Sequence, residues 1–224
     1  MSIILLRLVF VFLSLSFSSL YGAFHGKVDV GPTLIDIDIL ESGKTIETLH
    51  MKGVKGDATL LVYEGLCLKP GFIWAHGHGQ LAAGTIAVGY YIPITKKLRI
   101  LPNVGVTWSY LHTRVDFEQL NLFDLKERFR SSSPFIGIEI CYSLTEKWML
   151  MGTYQYAWCR THTKISPIVS DTSHSCGPNY AIGVDYSVNK NWSVTFGVGY
   201  NITLSKEKHG LRGKGAKLGI AYYF

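Results

Sequence analysis

The sequence predicts an all-β protein: a closed, antiparallel, up-and-down β-barrel that crosses a membrane on its strands. Three observations predict it. Apolar side chains recur at every second position in block after block; the positions between them carry Gly, Ala, Ser, Thr and Asn; and Trp and Tyr gather near the block ends. Period two makes strands, small polar residues suit a crowded barrel interior, and aromatic ends suit a girdle at a membrane interface. Composition agrees, with 23 Gly among 224 residues and 13% aromatics.

Residues 1–23 are expected to be removed. A single charge, Arg7, precedes an apolar run from Leu8 to Leu20 diluted by Ser14, Ser16, Ser18 and Ser19, and "LYGA" offers a small-residue exit. This is the pattern of a secretory signal peptide cleaved after Ala23, leaving 24–224 as one barrel domain in an oxidising, exported setting.

The blocks then follow in order. Ile35, Ile37 and Ile39 alternate with Asp36 and Asp38; Leu66, Leu68, Phe72 and Trp74 with Cys67, Lys69 and Gly71; Ile86, Val88 and Tyr90 with Thr85, Ala87 and Gly89. Val104, Val106, Trp108 and Tyr110 oppose Arg99, Asn103, Gly105 and Thr107, and Ile136, Ile138 and Ile140 oppose Gly137, Glu139 and Cys141. Trp148 to Trp158, Tyr180 to Val188, Trp192 to Leu204 and the terminal "KLGIAYYF" repeat the arrangement. Apolar members are assigned to lipid and the others to the lumen. The breaks "TKK", "TEK" and "NKN" are tight, whereas "VDFEQLNLFDLKERFRSSS", "TKISPIVSDTSHSCG" and "SKEKHGLRG" read as long loops on the opposite, outer side. If "YEG" at 63–65 is another tight turn there are ten strands; if 41–84 is one outer loop there are eight. The likeness of "LCLKPGFIW" to "LRILPNVGVTW" favours ten, with a bulge or gap at Pro70 and Pro102.

At this point the chain resembles the small outer-membrane β-barrel proteins of Gram-negative bacteria, along essentially its whole length after residue 23. In that family a terminal aromatic with apolar residues at alternate preceding positions is read by the barrel assembly machinery, which maps onto Phe224, Tyr222 and Ile220. The stretches "QYAWCRTHTK" and "SKEKHGLRGKG" are also similar to uncharacterised chlamydial members. The resemblance implies a bacterial outer-membrane location, reached through the periplasm, with outer-membrane lipids and lipopolysaccharide around the wall.

Several residue groups are candidates for chemistry. Asp36, Asp38, Arg99, Glu139, Asp185 and Lys217 are expected to form an ion-paired lumen network, since buried charges must be paired. Cys159 and Cys176 flank one outer loop and are candidates for a disulfide closing it; Cys67 and Cys141 face the lumen, with their redox state open. Lys206, Lys208, Arg212 and Lys214 form the densest basic stretch in a chain of formal net charge +6, and are candidates for contact with host or envelope polyanions. Nucleic acid is excluded as a partner by export. Outer-membrane lipid hydrolases use a His and a Ser separated by one residue, and neither "SHSC" nor "THT" has that His-x-Ser spacing; omptin-like proteases add an Asp-x-His couple, which occurs nowhere. His76 and His78 in "AHGHG" have no third ligand nearby, so no metal or other cofactor is expected. The expected role is therefore non-enzymatic: a structural or surface-interacting barrel, with a narrow solute or ion channel and a lipid hydrolase as alternatives.

Overall fold

The computed structural model describes residues 25–117, 122–166 and 169–224, with side chains except at 114–117, 122–126, 165–166 and 169–170. The expected signal peptide lies outside the described residues. The wall consists of β1 (Gly26–Glu41), β2 (Lys44–Tyr63), β3 (Leu66–Gly77), β4 (Gln80–Tyr90), β5 (Ile92–Pro93), β6 (Leu98–Phe117), β7 (Leu122–Ser143), β8 (Trp148–Ser166), β9 (Val169–Ser187), β10 (Trp192–Leu204) and β11 (Gly210–Tyr223). β5 continues β4 past a break at Tyr91, and both pair with β6. There are thus ten barrel strands, the number favoured from sequence. Each pairs antiparallel with its chain neighbours, and β1 against β11 closes the ring.

The turns explain the order. Ser42–Gly43 and Glu64–Gly65 both take positive φ at their two central residues, the mirror-image turn whose twist matches two-residue hairpins. "TKK", "TEK" and "NKN" share another device: Thr95, Thr145 and Asn189 each accept two backbone N–H groups, from the second and third residues onward. The prolines behave as expected. β2 and β3 lose pairing beside Pro70, between Asp57↔Gly71 and Leu60↔Leu68, and β4 pairs with β6 no further than Gly89↔Asn103, next to Pro102.

The outer end differs from expectation. Two of the three polar stretches read as long loops are mainly strand: β6 and β7 pair past Thr113↔Glu127, and β8 and β9 past Thr163↔Asp171, while the third keeps a turn at 205–209 between β10 and β11. β6 to β9 span 19 to 22 residues each. About 9–11 tilted residues suffice to cross a bilayer, so roughly half of this wall stands above it.

The two halves of the barrel have opposite faces. In the lower half Val28, Val30 and Leu34 of β1, Phe72 and Trp74 of β3, Val104 and Trp108 of β6 and Phe196 and Val198 of β10 point outward and are exposed, as a lipid-facing band requires. Above them the apolar residues point inward. Ile37, Leu49, Met51, Ala75 and Leu111 form a buried cluster, joined by Ile35, Ile39, Leu81, Phe129 and Leu211, so that seven strands around the ring contribute. The register of β1 against β2 and β11 runs unbroken from Lys27 to Ile39. Hence the odd positions face inward throughout, and the apolar side of β1 changes between Leu34 and Ile35. The lower half is built for lipid outside, and the upper half like a soluble barrel with an oily centre.

Candidate functional site

The lumen is crossed by ion pairs at its lower end. Lys27 donates to Asp185 Oδ2 at 2.5 Å, and Tyr223 OH donates to the same oxygen at 2.7 Å; Asp185 is 2% exposed. Lys217 lies 2.9 Å from Asp29 and 3.3 Å from Asp57, and Thr195 donates to Asp29 at 3.1 Å. Lys69 reaches from β3 across to Glu139 on β7 at 2.5 Å. Each of these links joins strands that are not neighbours or closes a seam, so charge neutralisation also fixes the cross-section. Glu139, Asp185 and Lys217 each take part in these pairs. Arg99 is also in the lumen, donating to Met149 Sδ at 2.8 Å and lying over the Tyr91 ring. Sequence reasoning missed Lys27, Asp29, Asp57 and Lys69 as the partners. The signal was their parity with Lys217 and Glu139.

Asp36 and Asp38 do not join this network. The phase change places them on the outer wall, above the lipid band, where Asp36 Oδ1 accepts from His50 Nδ1–H at 2.7 Å. Asp38 takes hydrogen bonds from Thr48 at 2.7 Å and Arg212 Nε at 2.7 Å, with Lys214 at 3.8 Å. The Thr48 bond, with the Arg212 contact beside it, holds the Asp38 carboxyl below the usual carboxylate range against the opposing effect of burial. Arg212 and Lys214 are thereby paired within the protein. Lys208 sits in the turn, where its carbonyl accepts from Gly43 N–H, and Lys206 borders a cleft on the wall. The proposed basic stretch thus divides into two paired and two outward cations.

The expected disulfide is not formed. The β8–β9 register sets Cys159 against Ser175 and Cys176 against Trp158, so the two thiols leave the sheet on opposite sides. All four cysteines are free. Spacing placed both at the rim of one hairpin, and a single residue of register separates their faces. Phe224 pairs with Gly26 through N–H···O bonds of 3.0 and 3.1 Å, while Tyr222 and Ile220 are exposed on the lipid face.

Above the oily cluster, Glu127 faces the interior opposite Thr113, with Glu47 nearby. Burial, with Glu47 adding repulsion, pushes its carboxyl up to about 7. On the outside at similar height, β6 to β9 carry an array that sequence reasoning had assigned to loops. One row across the wall is Trp108, Ser132, Arg160 and His174; the next is Tyr110, Arg130, His162 and Thr172; above it come His112, Arg128 and Lys164. The continuing alternation in "WCRTHTK" was the available signal. His162 Nδ1 lies 3.1 Å from Thr172 Oγ1.

A closed ten-stranded sheet with a lipid-facing band, an aromatic rim and an ion-paired lumen defines an integral outer-membrane β-barrel. A family model described as Pom, Protochlamydia outer membrane protein, matches residues 74–217, more than half of the chain, and the protein belongs to that family. It is a bacterial outer-membrane protein. Among solved structures, the outer membrane protease OmpT from Escherichia coli is similar with a TM-score of 0.53 at 13% identity, over 92% of this chain and 99% of that one. Ail, the attachment invasion locus protein of Yersinia pestis, matches with a TM-score of 0.45 at 11% identity, over 90% and 99% of the two chains. Neisserial surface protein A matches at 0.44 and 14% identity, over 89% and 97%. No curated protein matches in sequence.

Proposed function

We propose that this protein is a non-enzymatic, non-conducting outer-membrane anchor that holds a tall extracellular wall for contacts at the bacterial surface. The observation that carries the reading is the filled upper lumen. Leu49 at 0% and Leu111 at 3% exposure, with Ile37 and Met51, occupy the section through which any solute would pass. An ion entering there would lose its hydration without a polar replacement, which costs several kcal/mol at the least.

The surface contacts belong to the raised wall and its turns, with host or envelope polyanions as partners. Lys206 and Lys208 remain available to them, whereas Arg212 and Lys214 are held by Asp38. Reconstituted barrel in a planar bilayer is expected to stay silent across the voltage range, and Leu49→Ala with Leu111→Ala to produce small conductance events. Regular channel openings by the unaltered protein would reject the anchor in favour of a narrow pore.

A further inference from the structure

We propose that the outer wall of β6 to β9 carries a binding site for the phosphate headgroup of an outer-leaflet lipid, built on Arg130 and Arg160. The site rests on the barrel's outer-membrane setting and not on the closed lumen, so either proposal can fail alone.

The placement comes from the ladder. Trp108 and Trp158 are half exposed on the outer wall and mark the upper edge of the lipid band. Arg160 lies two residues beyond Trp158 on the same face, and Arg130 sits in the next row, opposite His162. On one face of an antiparallel pair such diagonal neighbours are about 7–8 Å apart at Cα, a span two guanidinium groups can close around one phosphate. Arg130 also lies over the Tyr110 ring, 5.9 Å from its centroid, which limits its rotamers.

The surroundings select an anion at this depth. Arg128 and Lys164 add two cations one row higher, and none of the ladder positions in these three rows is acidic. A cleft of 410 Å³ opens between Trp108, Arg130, Arg160 and His162. A second, of 590 Å³, lies alongside, bounded by Trp158, Arg160, His174 and Lys206. Aromatic and apolar surface lies directly beneath the cations. A headgroup between the arginines would therefore lay its acyl chains along Trp108 and Trp158, an arrangement that a soluble polyanion could not use. The other side of the barrel contrasts, because Asp36 and Asp38 occupy the corresponding height there and pair with His50 and Arg212.

The test uses the whole barrel, residues 24–224, refolded in zwitterionic detergent and titrated with phosphatidic acid or phosphatidylcholine while bound lipid is counted by native mass spectrometry. Phosphatidic acid is expected to be retained and phosphatidylcholine not. Arg130→Gln with Arg160→Gln should weaken retention by about tenfold or more, while Lys44→Gln with Lys52→Gln on β2 should change it less than about twofold. If the double Gln variant fails to refold, Arg130→Lys with Arg160→Lys keeps the charge and should still weaken retention, because an ammonium cannot bridge phosphate oxygens in two-pronged fashion. Equal retention by a refolded Gln or Lys variant overturns the site. Tighter binding of a soluble sulfated oligosaccharide than of phosphatidic acid, lost in the same variants, would overturn the lipid assignment and return the patch to polyanion contact.

Discussion

Glu127 shows how one side chain can register pH in an otherwise neutralised barrel. Its folded carboxyl titrates near 7, raised by burial and by Glu47, against an ordinary value of 4.5. A raised acid is favourable to the fold while it keeps its proton. Stability is therefore highest below about 4.5 and declines as pH rises toward about 7, because the folded state binds more protons than the unfolded one in that window. Glu127→Gln is expected to remove most of this decline and to raise the thermal midpoint at pH 8, measured by the shift of the heat-modifiable band. A steeper decline in the variant would mean that another group is responsible. Asp38 has the opposite sign: its carboxyl is held low, so its contribution is present above the ordinary carboxylate range and lost in acid. Cys159 and Cys176 lie close in the ladder, yet a disulfide needs both Cβ atoms on one side, and spacing alone does not report that.

At the scale of the element, β1 and β11 form the seam on which closure depends. Gly31 is required there by close approach, since a Cβ would stand 2.0 Å from the Leu218 carbonyl oxygen. Phe224 adds two backbone bonds to Gly26 at the foot of the same seam. Deleting Phe224 is expected to lower the yield of folded barrel in the outer membrane, and Gly31→Val to lower it further, both read as the fraction of heat-modifiable protein. Normal yield for either would separate closure from assembly. β1 also carries the test of the two-faced wall. Val30 and Asp36 point outward on one strand, but only Val30 lies within the lipid band. Val30→Arg should cost about 2–4 kcal/mol near the bilayer midplane, whereas Asp36→Arg should cost well under half as much. Equal costs in urea titrations would place the band elsewhere. The lower strands were legible because alternation with Trp and Tyr ends has one physical cause. The upper strands were not, because a solvated wall over an oily centre alternates with opposite sense and polar composition, which reads as a loop. The change of sense was nevertheless written in paired apolar neighbours: Leu34–Ile35, Tyr110–Leu111 and Phe135–Ile136.

For the whole molecule, ten strands leave little interior, and the chain fills it in two ways, by ion pairs low down and by Ile, Leu, Met and Phe higher up. Both kinds of filling tie strands from opposite sides of the ring. Leu49→Ala is expected to destabilise the barrel by about 2–5 kcal/mol, as for other buried leucines, without removing it from the membrane. A loss under about 1 kcal/mol in urea unfolding would show that the upper centre is loosely packed. The change of face between Leu34 and Ile35, repeated around the ring, has one more consequence. It acts as a waterline. Moving the barrel outward by two residues would lift apolar side chains into water, and moving it inward would bring Asp36, Arg130 and Arg160 into hydrocarbon. The protein thus has a single draught, and a bilayer of different thickness must stretch, thin or let the cylinder lean to meet it.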